Sequence, residues 1–85
     1  MSRKDKILNM ISDFFGQHLI VLDYLGKKRD DEALLFMFVF LDTLKEQIMD
    51  ADQSKIEYLA ITAFATMELI NEGIIDYCDK KEGMQ

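Results

Sequence analysis

The chain has 85 residues, 49% of them apolar, and its 16 acidic and 10 basic residues give a formal charge of -6. That length argues against a second domain, because neither half would keep a core. The negative charge repels phosphate backbones at long range, which argues against nucleic acid. There is no proline and there are only four glycines, so the usual turn and strand-edge punctuation is missing and long helices are the natural elements.

Other classes are disfavoured as well. The single cysteine, Cys78, cannot form an internal disulfide, and small secreted domains usually carry several, so a reducing cytoplasm is expected. After the charged start at Arg3, Lys4 and Lys6, the apolar positions are broken by Asn9, Ser12 and Asp13, and no signal-peptide core is read. The longest apolar run, Ala33 to Leu41, is about half of the roughly 20 residues a membrane span needs, so a soluble chain is expected.

Caps and breakers predict three helices, at about 3–25, 31–50 and 55–82. Ser2 with Asp5 reads as a cap for the first, and Gly26 as its stop. Asp30 or Asp31 caps the second, after the polar turn at 26–30. Ser54 with Glu57 is a full Ser-x-x-Glu capping box for the third, with Gly83 as its stop. Gly16 and Gly73 fall inside helices, where a kink or an early end could arise, but neither is expected to break the pattern.

Periodicity supports these elements. Ile7, Ile11, Phe14, His18, Val21 and Leu25 form the seam of the first helix, and Ile56, Ala60, Ala63, Met67, Ile70, Ile74 and Tyr77 that of the third. The second has a seam at Ala33, Met37, Phe40, Leu44 and Ile48, but its first half is apolar on all sides. With short loops, the expected fold is an all-α, single-domain, three-helix up-down-up bundle.

A core-facing stripe occupies about three of every seven positions, and this chain is richer in apolar residues than that stripe can use. A 9.9 kDa monomer folds to roughly 5,200 Å² of surface and is marginally stable. A homodimer would bury the excess and enlarge the core. The predicted oligomer interface is Leu34, Leu35, Phe38 and Val39 on the second helix, with Ile61 and Leu69 on the third. The competing reading buries the second helix between the other two in a monomer.

Few positions suggest chemistry. His18 is the only histidine and lies on an apolar face. It reads as a neutral core residue bonded to a carbonyl or carboxylate, with haem ligation or a pH-sensitive interface as the functional alternatives. Cys78 reads as a small apolar residue at a helix edge. No base accompanies any nucleophile, no ligand cluster suggests a metal, and no cofactor is expected, so the chain reads as a non-enzyme.

Glu68, Glu72, Asp76 and Asp79 form an acidic row on one face of the third helix. It is either a solvated face or a docking strip for a basic partner. The basic turn Lys27-Lys28-Arg29, with Lys80 and Lys81, is offset at the same pole by Asp30, Asp31, Asp76, Asp79 and Glu82. The sequence therefore points to a protein-protein interaction module that works by stoichiometric binding, such as a regulator, inhibitor, chaperone or immunity-type binder. The alternatives are a bundle holding an apolar ligand or haem, and a structural subunit of a larger assembly.

Overall fold

The computed structural model describes residues 2–83, with side chains through Lys80. It is all-helical, but it has four helices rather than the expected three: α1 (Arg3–Gln17), α2 (Leu19–Lys28), α3 (Glu32–Asp50) and α4 (Gln53–Gly83). The three passes run up, down and up. Arg3 pairs with Glu57, and Lys4 donates to the carbonyl of Ala51, which ties the start of α1 to the start of α4. At the other pole the Tyr77 hydroxyl donates to Asp30 at 2.8 Å.

The correction to the three-helix expectation lies at His18, which leaves the helical region at φ -111° and ψ 18°. Its amide is shared between the carbonyls of Phe14 and Phe15, yet Leu22 still donates to the His18 carbonyl. The break therefore bends one long pass without reversing it. Gly16, two residues earlier, weakens helical preference at this point. Beyond the bend α2 stays with α3, and none of its Cα atoms comes within 8 Å of a described Cα of α4.

The ends of the passes also differ in part from the sequence expectations. Ser2 caps α1 by accepting from the Asp5 amide, and Asp31 caps α3 by accepting from the Leu34 amide. Gly26 does not stop the first pass. Helix continues to Lys28, and Arg29 takes the left-handed conformation at φ 54°, its amide donating to the Leu25 carbonyl. That conformation costs a non-glycine residue roughly 1–2 kcal/mol. α4 is helical through Gly83, so the stop expected there falls at the limit of the described residues.

Nor does Ser54 act as the cap of α4. The helix starts at Gln53, and Ser54 donates its hydroxyl to Asp52 at 2.6 Å, while Glu57 turns outward to Arg3. The carboxylate of Asp52 is the stronger acceptor and suits the positive end of a helix better than a hydroxyl does.

The core is built from Ile7, Ile11 and Phe14 of α1, Leu25 of α2, Leu34, Phe38, Leu41, Leu44 and Ile48 of α3, and Ile56, Leu59, Ala60, Ala63 and Ile70 of α4. The seams expected for the first and last passes are buried or half-buried throughout. The α3 seam is rotated in its first half, where Leu34 and Phe38 point inward and Ala33 and Phe40 outward. Gly73 explains the choice: a Cβ there would lie 2.9 Å from Leu34 Cδ1, so the missing side chain makes the notch that seats Leu34. α4 does not end or break at this glycine.

The molecule is elongated, at 49 × 20 × 19 Å, and exposes 6038 Å². A compact chain of this mass would expose about 5,200 Å².

The Asp52 carboxyl titrates below its ordinary value, first because Ser54 donates to it and then through Lys55 and nearby backbone amides. A depressed carboxyl stabilises the fold above its unfolded value, and that contribution is lost as pH falls through the lowered value. Thermal melts should therefore show a larger drop for Asp52→Ala than for Ser54→Ala at neutral pH. The difference between the two variants should shrink in strong acid.

Candidate protein-binding surfaces

The structure separates the predicted interface residues into two groups. Leu34 and Phe38 are each 1% exposed and belong to the core, so they are withdrawn from the oligomer interface. Their half-helix is apolar on every side, and the sequence pattern could not tell the inward row from the outward one. Leu35 is half-buried against the core. Val39, Ile61 and Leu69 are 55%, 67% and 54% exposed. Phe36 is exposed as well, and so is Phe40, which the helical spacing had placed in the core-facing seam.

Helical spacing puts Tyr58, Ile61, Ala65 and Leu69 on one face of α4, and all four are exposed. The acidic row Glu68, Glu72, Asp76 and Asp79 continues along this face, and it too is exposed. The contact of Gly73 with Leu34 fixes the antiparallel register, which sets Phe36 and Phe40 of α3 beside residues 67–71 of α4. The outer side of the α3–α4 pair thus carries an apolar strip that passes into a row of carboxylates. Thr62 and Thr66, beside the strip, satisfy their own hydroxyls by donating to Tyr58 and Thr62 carbonyls.

Because α2 diverges from α4, a second apolar feature opens between them. It is a groove of about 330 Å³ lined by Ile20, Val21, Tyr24, Ile74, Tyr77 and Cys78. Tyr24 packs edge-on to Tyr77 with ring centroids 6.3 Å apart. Cys78 is an exposed free thiol on this wall.

His18 is half-buried, and its described contacts are aromatic. Its ring meets Phe14 edge-on at 4.6 Å and Phe38 at 6.4 Å. It lies in the wall neither of the α2–α4 groove nor of the groove bounded by Phe15, Leu22, Phe38, Val39 and Asp42. Among the described residues no group of three or more His, Cys, Asp or Glu side chains is arranged to hold a metal ion.

By length and composition alone, residues Gln53–Lys80 of α4 could cross a membrane. The uninterrupted apolar run at 33–41 gives no sign of this, because the apolar residues of α4 are interspersed with polar ones. A third of the apolar window is buried in the bundle, with Ile56, Leu59, Ala60, Ala63 and Ile70 in the core, while Ile61, Leu69 and Ile75 are exposed.

Compared with known protein families, curated proteins and solved structures, the chain shows no significant match to any of them.

The edge-on packing of His18 on Phe14 is worth about 1 kcal/mol. Urea denaturation of His18→Ala should show a loss of that order with helicity retained, and an unchanged midpoint would argue that the ring contributes nothing to stability.

Proposed function

We propose that this chain is a small protein-protein interaction module, not an enzyme, that acts as a homodimer by stoichiometric binding in a reducing, cytoplasmic setting. The observation that carries this reading is the outer side of the α3–α4 pair, where exposed Phe36, Phe40, Ile61 and Leu69 adjoin Glu68, Glu72, Asp76 and Asp79. Apolar patches of this kind mark contacts with other chains.

The chemistry of that face selects its occupant. An apolar strip passing into carboxylates suits an amphipathic helix with apolar anchors on one side and lysine or arginine beside them. Rim charges of this sort chiefly speed and orient association, while the apolar anchors set how long the complex lasts. A regulator, inhibitor, chaperone or immunity-type binder needs no more than such a surface.

Homodimer formation is the second half of the proposal. It is supported by the excess of exposed surface over that of a compact chain and by the number of large apolar side chains left outside. Two acidic rows facing each other would repel, so the dimer is assigned to a different side of the molecule, and Ile61 and Leu69, expected from the sequence in the oligomer interface, pass to the partner face.

Light scattering on the eluting protein should give twice the chain mass. A partner recovered with the wild type should be lost by Ile61→Asp and by the pair Glu72→Lys with Asp76→Lys, while circular dichroism stays unchanged. Full retention by both variants would contradict the proposed face, and a chain-mass reading would contradict the dimer.

A further inference from the structure

The first pass carries a pattern that its own bundle does not use. Asp13, Gly16, Ile20, Tyr24 and Lys27 recur at spacings of three and four, which keeps them on one helical face. The bonds from His18 to Phe14 and from Leu22 to His18 carry this register across the bend. All five positions are exposed, and Ile20, at 86%, is the most exposed large apolar side chain described.

Gly16 is the informative member. Its φ is not positive, and a Cβ at that position would meet nothing within 4 Å. A weak helical preference at Gly16 suits the bend two residues on, at about 1 kcal/mol against alanine, but the open space above it serves nothing inside the chain. A close approach by something outside the chain would explain it.

The pattern is self-complementary about Ile20. An antiparallel copy related by a two-fold axis through Ile20 pairs residues equally distant on either side of it. Asp13 then meets the second copy's Lys27, Gly16 receives its Tyr24, and the two Ile20 side chains meet on the axis. Each match is made twice, as a two-fold interface requires. Charge meets opposite charge, and the largest side chain of the face meets the missing one.

We infer that this face, centred on Ile20 and flanked by the α2–α4 groove, is the surface through which two copies of the chain associate. The inference rests on the homodimer reading above and specifies its geometry. The groove gives the second copy's Ile20 an apolar seat beside Val21, Ile74 and Cys78. Tyr24 is held ready for its role, because it packs on Tyr77, whose hydroxyl is anchored to Asp30. Lys27 already pairs with Asp23 at 3.1 Å, and both groups are exposed. An exposed pair of this type is weak and readily shared, so Lys27 can sit between its own Asp23 and the second copy's Asp13.

Charge exchange tests the pairing. In Asp13→Lys the copies oppose lysine with lysine, and in Lys27→Asp they oppose carboxylate with carboxylate. Sedimentation equilibrium at low salt should show each single variant dimerising roughly tenfold or more weakly than wild type. The double variant, and an equimolar mixture of the two singles, should recover dimer. Gly16→Gln should melt at or above the wild-type temperature as a monomer and yet dimerise poorly. Ile20→Cys in a Cys78→Ser background should cross-link to a covalent dimer under mild oxidation.

A wild-type dimer that both single charge variants leave intact, with no Ile20→Cys cross-link, would overturn this geometry and spare the homodimer. A monomeric wild type would overturn both.

Discussion

Three helical passes can turn only part of their circumference inward, and this chain carries apolar side chains on more than that part. The rest of the structure follows from this constraint. The antiparallel packing of α3 on α4 buries the largest share, with Leu34, Phe38, Leu41, Leu44 and Ile48 set against Ile56, Leu59, Ala60, Ala63 and Ile70. Gly73 admits Leu34 and so fixes which face of the ambiguous α3 turns inward. Once that face is fixed, Phe36, Val39 and Phe40 are left outside together with Ile61 and Leu69.

The bend at His18 meets the same constraint on the other side of the molecule. α1 packs against both α3 and α4, whereas α2 follows α3 alone. With no Cα of α2 within 8 Å of a described Cα of α4, no closely packed helix covers Ile74, Tyr77 and Cys78. The bend instead leaves them as one wall of a groove, with Ile20, Val21 and Tyr24 as the other. Two apolar surfaces result, one continuing into carboxylates and the other bordered by charges of both signs. The occupants proposed for them differ accordingly, a basic helix of another protein for the first and a second copy for the second.

Much of this was legible in the residues, and the failures have physical causes. Ser2 was readable as a cap from Asp5 three residues on, and the cap of α3 was narrowed to Asp30 or Asp31, of which the structure selects Asp31. Ser54 was misread because Asp52, two residues ahead, competes for the same helix end and wins as a charged acceptor. Gly26 was misread because the left-handed turn fell to Arg29, a residue that pays a steric penalty there and gives no sequence signal of it. No cap or proline marks the bend at His18. Of the candidate sites, the exposure of the acidic row followed from helical spacing. The assignment of Leu34 and Phe38 did not, because Ala33-Leu34-Leu35-Phe36-Met37-Phe38 is apolar in every direction and only the partner helix can orient it. The significance of Gly16 also required coordinates, since a glycine in a sequence does not reveal whether space surrounds it.

The central claim is that this chain is completed by another chain, so its stability must depend on how much of that chain is present. The thermal unfolding midpoint of the pure protein, followed by circular dichroism over a hundredfold range of concentration, tests this most directly. The account predicts that the midpoint climbs steadily with concentration. A midpoint that stays fixed across the whole range would mean that the single chain folds alone with its apolar faces uncovered, which would contradict it.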